Sequence, residues 1–282
     1  MMTQNDSVTW KLSGFGDEID TDPAVQVAVL QALGANHIEV RSAWDTNIIE
    51  MSESQLTDLA ALFTAKGMRV SAIASPTGKV DVGLPVEHEV ERLTRAITAA
   101  KALGTSYIRI FSFYYEGRDV ESVREDVMTR MRALTKTAEE AGVTLLHENE
   151  KDIFGDIPSR VLDIIETVNS PALRVAWDAA NFIQVGVKPF DDAYPLLRPH
   201  LEYLQVKDAM SADASVKPAG EGDGQLQATI NALRDSGYSG FASLEPHLTG
   251  AFGLGGFSGP AAFGVAARAF ARVVENAGVE LV

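Results

Sequence analysis

The sequence predicts an α/β fold, a single parallel eight-stranded (β/α)₈ barrel over residues 1–282 with its working face at the C-terminal ends of the strands. Three observations predict it. A helical stretch, a glycine and a short run rich in Val, Ile and Leu recur along the chain, as in QALGANHIEV, AKALGTSYIRIF and AEEAGVTLLHE. The apolar runs number eight, and continuous apolar strands separated by helices indicate a parallel sheet covered on both faces. The length of 282 residues also suits one such barrel, which takes about 250.

The elements follow in order. The first run, about 10–15, precedes Asp22 and Pro23, an N-cap with proline at the first helical position, and Gly34 stops that helix. The second, 37–41, precedes Ser52 and Gln55 at capping-box spacing, with Gly67 as the stop. Helices ended by Gly104 and Gly142 separate the third run, 68–74, from the fourth, 107–113, and the fourth from the fifth, 143–148. The sixth and seventh lie at 173–178 and 201–207, and the eighth, 240–245, comes after Gly237. These glycines stand where a helix needs a left-handed residue just past its end. The glycine-rich stretch GAFGLGGFSGPAAFG, 250–264, reads either as a loop covering the barrel mouth or as a flexible lead into the final helix.

Composition narrows the function. With 39 acidic against 24 basic residues and a net charge of −15, the chain repels polyanions, so nucleic acid is an unsuitable partner. It contains no cysteine, which excludes disulfides and thiolate metal sites and suits a reducing compartment. MMTQNDSVTW lacks the basic and apolar regions of a secretory signal, and no apolar run approaches the roughly 18 residues of a membrane span. The expectation is a cytoplasmic protein with no membrane partner.

Four consecutive strands end in polar residues: Glu148 of LLHENE, Asp178 of LRVAWD, Gln205 and Lys207 of LEYLQVKDA, and Glu245 of FASLEPHL. Their spacing is close to one strand-plus-helix unit each, so one residue from each strand can converge at the barrel mouth. Alternation puts Leu146 with Glu148, Gln205 with Lys207 and Ser243 with Glu245 on shared faces, and turns His147 toward the helix layer unless the strand has already ended. Three carboxylates aimed at one another need a positive charge among them. A divalent cation on Glu148, Asp178, Gln205 and Glu245 supplies it, and an all-oxygen set favours Mn²⁺ or Mg²⁺ over Zn²⁺. Each acid taken alone reads more readily as a helix N-cap or the partner of a nearby cation than as a metal ligand, and four on consecutive strands reverse that preference.

The motifs LSGFGDEI, HIEVR, MRVSAIASPTGK, HENEKDIFGD, WDAANF, LQVKDA, GEGDG and SLEPHL together resemble the xylose isomerase-like TIM-barrel superfamily, over about residues 12–275. That superfamily includes sugar isomerases and epimerases as well as endonuclease IV. In its ketose 3-epimerases, Glu, Asp, His and Glu on strands five to eight hold a divalent metal. The resemblance places these on Glu148, Asp178, Gln205 and Glu245, with glutamine standing in the histidine's place. It further implies that Glu148 and Glu245 flank the substrate carbon, one removing a proton and the other returning it, while the metal polarises the adjacent carbonyl.

The neighbouring residues have paired readings. Lys207 either holds a substrate oxyanion or pairs with Asp178 or Asp208. His147 and His247 bind substrate or support the two glutamates. Glu150 reaches substrate or pairs with Lys151 or a neighbour; Arg109 and Arg41 bind substrate oxygens or a phosphate, and Arg41 otherwise pairs with Glu39 or Glu18. Trp44 and Phe113 suit either an apolar wall or the core, and GEGDG lacks the context of a dinucleotide fingerprint.

The expected activity is a metal-dependent sugar isomerase or epimerase working through an enediolate on a small sugar. The alternatives are a lyase, dehydratase or C-glycoside-cleaving enzyme acting on a 3-oxo-sugar with an accessory subunit, and a non-catalytic sugar-binding barrel. An endonuclease IV-like enzyme is disfavoured by the charge and by only five histidines. A homodimer is the default assembly.

Overall fold

The computed structural model describes residues 8–252 and 255–282. The reading of the N-terminal segment falls largely on residues 1–7, outside the described residues, as do two residues of the glycine-rich stretch. The eight expected strands are present: β1 (Val8–Gly14), β2 (His37–Val40), β3 (Arg69–Ala74), β4 (Tyr107–Ile110), β5 (Thr144–Glu148), β6 (Leu173–Asp178), β7 (Leu201–Val206) and β8 (Phe241–Leu244). Neighbours pair in parallel from β2 through β3, β4, β5, β6, β7 and β8 to β1. A parallel bridge between Phe15 and Glu39 then joins the C-terminal ends of β1 and β2 and closes the ring. The fold is the expected α/β barrel.

A ninth strand, β9 (Val279–Leu281), escapes the sequence reading. β1 is paired with β2 only at the Phe15–Glu39 bridge, so the first half of β1 has an open edge on that side, opposite β8, which Val279–Leu281 fills against Val8–Trp10. Three residues are too short a run to announce a strand by alternation.

The helices form where local signals ask for them. Asp22 caps α1 (Pro23–Ala32) by accepting from the Ala24 N–H at 2.9 Å, and Ser52 with Gln55 closes a capping box on α2 (Glu53–Lys66). Gly34, Gly67, Gly104, Gly142 and Gly237 all have φ between 67° and 87°, the left-handed stop that each helix end requires. The helices α3 (Val86–Leu103), α4 (Val120–Ala141), α5 (Pro158–Val168), α6 (Ala179–Gln184), α7 (Tyr194–Leu197), α8 (Leu226–Asp235) and α9 (Gly259–Asn276) cover the barrel. The main apolar core lies between them and the strands. Among the described residues no helix is long and apolar enough to cross a membrane.

Inside the ring the packing rises in layers. At the bottom Leu146, Ala176 and Tyr203 pack with Tyr107 and Phe241. Two residues further along each strand, polar groups take over, because successive inward positions are two apart. The Tyr203 hydroxyl donates to Glu39 Oε2 at 2.9 Å, Gln205 Nε2 donates to Glu39 Oε1 at 3.1 Å, and the hydroxyls of Ser13 and Ser71 lie 2.7 Å apart. Burial pushes the Glu39 carboxyl up to about 7, against the pull of Arg109. Gln205, register-paired with Asp178, joins this layer to the strand-end residues.

Candidate active site at the barrel mouth

A cavity of about 370 Å³ opens at the C-terminal ends of the strands, large enough for a small substrate. Seven of the residues singled out from sequence line it: Arg41, Arg109, Glu148, Glu150, Lys207, Glu245 and His247. Asp178 and Gln205, fully buried, are absent from its lining; Asp178 is tied to it by Lys207, whereas Gln205 donates to the buried Glu39, which does not line it either. His147 is not part of the site. It is fully buried with neither ring nitrogen hydrogen-bonded, and its ring packs so closely on Gly155 that a Cβ there would lie 2.5 Å from Cε1. The strand persists through Glu148, so alternation turns His147 to the helix layer and overrides the substrate-binding role.

The three carboxylates each have a resident cation. Glu148 accepts from Arg109 Nη1 at 2.9 Å, Asp178 Oδ2 lies 2.7 Å from Lys207 Nζ, and Glu245 accepts from Arg41 Nη1 at 3.0 Å. Lys207 also reaches Glu245 Oε2 at 3.4 Å, so it bridges two strands and takes the ion-pair role with Asp178. Arg41 binds neither Glu39 nor Glu18. Its Nε donates to Asp17 at 2.8 Å and its Nη2 to the Gly256 carbonyl at 3.0 Å. Glu150 pairs with Lys79 at 2.9 Å, and it is the backbone N–H of Lys151 that it also accepts.

Sequence reasoning assigned no role to the asparagines. Asn181, on the first turn of α6, donates to Glu148 Oε1 at 3.0 Å and to the Asn149 carbonyl at 2.9 Å. Its backbone N–H is capped by Asp178 Oδ1 at 2.9 Å, so Asp178 is an N-cap with one oxygen and a cluster member with the other. Asn149 exchanges two hydrogen bonds with the Asp178 backbone, tying β5 to β6 where their acids meet. The signal was present in HEN and DAAN, but a capping residue and a site residue look alike in sequence.

GEGDG also acquires a role. The Asp208 carboxylate accepts backbone N–H groups from Ala209, Gly220, Gly222 and Gly224 at 2.8–3.1 Å. A Cβ on Gly222 or Gly224 would lie 2.5 Å from Asp208 Oδ1, which explains why the loop is glycine-rich. The clasp anchors the residue next to Lys207. Phe113 is core, and Trp44, exposed on a hairpin at φ 52°, lies outside the cavity lining. The stretch after β8 forms a hairpin, Gly250–Phe252 against Gly255–Phe257, whose Gly256 is held by Arg41 and by His247 Nε2 at 3.2 Å. It is attached to two cavity-lining residues.

The two glutamates differ electrostatically. Burial raises the Glu148 carboxyl, and Arg109 only partly offsets it. For Glu245, burial works in the same direction, but Lys207, His247 and Arg41 together hold it well below the usual carboxylate range. Burial also lifts Asp178 to about 7 despite Lys207. One acid is thus biased toward its neutral form and one toward its charged form across the same cavity.

The donor set fits a hard divalent cation. Glu148, Asp178 and Glu245 each offer a carboxylate oxygen within 4.8 Å of the other two, and the buried Gln205 Oε1 has no hydrogen-bond partner. A second trio, Glu18, Glu245 and His247, meets the same distance, with the Glu18 carboxyl pushed up to about 8 by burial and by Glu245.

A family model described as Xylose isomerase-like TIM barrel matches residues 27–269. The chain belongs to this family. One relative, 2-epi-5-epi-valiolone 7-phosphate 2-epimerase of an Actinoplanes species, is 24% identical over 230 residues, 80% of each chain. Another, 3-dehydroshikimate dehydratase of Bacillus anthracis, is 23% identical over 186 residues, 59% of this chain and 65% of the relative. The solved structure of a xylose isomerase-like TIM barrel protein from Mycobacterium smegmatis in complex with magnesium superposes with a TM-score of 0.71 at 16% identity, covering 98% of this chain and 99% of that one. Relatives of this xylose isomerase-like barrel thus include both an epimerase and a dehydratase, which supports an enzyme.

Proposed function

We propose that the chain, as one barrel domain, is a divalent-metal-dependent isomerase or epimerase that moves a proton on the carbon beside a carbonyl of a sugar or sugar-like substrate. One observation carries this reading: two buried glutamates of opposite electrostatic bias, Glu148 and Glu245, share a cavity with a cluster of oxygen donors. Glu148, Asp178, Gln205 and Glu245 would hold the ion, and the magnesium of the Mycobacterium smegmatis structure supports an oxygen-preferring metal. When bound, the ion supplies Lewis-acid polarisation of the substrate carbonyl.

The chain's own groups do the rest. Glu148 and Glu245 act as the acid–base pair, Glu245 removing the proton and Glu148 returning one on the other side of the carbon. Arg109 and Asn181 orient Glu148 through its two oxygens, and Arg41 orients Glu245. Lys207 stands ready to balance the negative charge of the enediolate. The valiolone-phosphate epimerase supports the stereochemical outcome, and the dehydratase supports a second one, since loss of a group beta to the same carbanion uses the same two acids.

Proton NMR of the Mg²⁺-loaded protein with a panel of ketoses, ketose phosphates and 3-oxo acids tests the choice. Stereoisomeric products support the epimerase; products lacking water establish the dehydratase instead; no conversion of any compound removes the proposal.

A further inference from the structure

The cavity wall has spare donors and hardly any spare acceptors. Every carboxylate oxygen of Glu148, Glu150 and Glu245 already accepts a hydrogen bond. The remaining lining acid, Glu50, is exposed and paired with Arg95. Donors remain. Among the described residues Arg92 uses only Nη1, on Glu89 at 2.7 Å, leaving Nε and Nη2 unbonded. Lys79 spends one N–H on Glu150, and Asn47 uses its Oδ1 on Ile49 N while its Nδ2 makes no bond. The Arg109 Nε–H is buried without any partner.

These donors are held in place. Lys79 Nζ lies 4.2 Å and the Arg109 guanidinium carbon 4.6 Å from the centre of the Phe111 ring, so one aromatic ring steadies two cations on the cavity wall. A neutral sugar hydroxyl brings a donor with each acceptor, and its donor would find few open acceptors here. A carboxylate or phosphate brings acceptors only and matches fixed cationic donors. The arrangement is notable in a chain of net charge −15, whose surface disfavours anions in general.

We propose that the substrate carries an oxyanionic group, a carboxylate or a phosphate, bound by Lys79 and Arg92 with Asn47. This rests on the enolising reading of the same cavity and names the substrate class within it. Glu148 and Glu245 handle the carbon beside the carbonyl, and the outer donors hold the far end of the molecule, fixing which carbon is presented.

The test is calorimetric titration of the Mg²⁺-loaded protein with matched compounds: fructose and tagatose, their 6-phosphates, and 2-keto- and 5-keto-gluconate, alongside inorganic phosphate as competitor. A phosphate or keto-acid should bind about tenfold or more tighter than its neutral counterpart, and Arg92→Gln and Lys79→Gln should each remove about tenfold of that preference. Whichever anion prevails identifies the source of the oxyanion. Lys79 is a third exposed, so its variant gives the answer if Arg92→Gln, which deprives buried Glu89 of a partner, does not fold. Equal affinity for neutral and anionic members, no binding by any of them, or an anion preference that survives both substitutions overturns the proposal. Carbon-bound deuterium uptake measured on the same samples separates the two claims: exchange of neutral ketoses without anion preference keeps the enolising reading and removes this one, and Arg92-dependent anion binding without exchange does the reverse.

Discussion

Replacing Lys207 by methionine should destabilise the metal-free protein and strengthen its hold on metal. The ammonium lies 2.7 Å from Asp178 Oδ2 and 3.4 Å from Glu245 Oε2, and the side chain is only 3% exposed. Removing one member of a buried ion pair leaves an uncompensated charge and costs about 3–5 kcal/mol. For a chain of this size that is a fall of roughly 6–15 °C in melting temperature. The same ammonium competes for the carboxylate oxygens that a divalent ion would use, so its loss should raise Mn²⁺ affinity about tenfold or more. Thermal unfolding in chelator and in Mn²⁺, with free Mn²⁺ followed by electron paramagnetic resonance, reads both effects. A variant that melts with the wild type in chelator and binds Mn²⁺ no more tightly would refute the charge accounting of the site.

Other perturbations test its surroundings. Asn181→Ala frees Glu148 Oε1 and should lower activity or metal affinity about 10–100-fold with the fold intact, checked by kinetics and circular dichroism. Gly155→Ala puts a Cβ 2.5 Å from His147 Cε1 in a fully buried place and should cost about 1–3 kcal/mol in denaturant unfolding; His147→Ser in the same chain should recover part of it. Burial lowers His37 to about 4 and His147 to about 3, so both stay neutral in the fold while the unfolded chain takes up protons below about 6.5. The stability they permit is complete above that pH and is lost as pH falls toward 4. Between pH 7 and 5 each should account for about 2 kcal/mol, and His37→Gln should remove about half of their joint pH dependence in urea unfolding.

The barrel was legible because its signals are local and repeated: eight apolar runs, glycine stops and two capping patterns all appear where the structure has them. β9 was not, because it answers an open edge of β1 that exists only after closure. In the site, alternation correctly placed Glu148, Lys207 and Glu245 on inward faces and turned His147 outward. It could not choose partners for the cations. Arg41 finds Asp17 and Glu245 rather than Glu39 because a side chain two positions along the strand sits one layer higher in the barrel, level with the mouth. Gln205 illustrates the same limit: its amide nitrogen donates to Glu39, a residue 166 positions away, while its oxygen makes no hydrogen bond. Lys79 and Arg92 lie on a loop and a helix turn, where a basic residue is unremarkable until the cavity beside it is known.

The central claim is that Glu148 and Glu245 act as a pair on one carbon. Its most direct test is uptake of solvent deuterium at that carbon, followed by proton NMR, for the Mg²⁺-loaded wild type and for Glu148→Gln and Glu245→Gln. The account predicts exchange in the wild type, its loss in Glu245→Gln, and in Glu148→Gln a loss of product formation at least as large as any loss of exchange. Exchange that persists undiminished in both variants would contradict it.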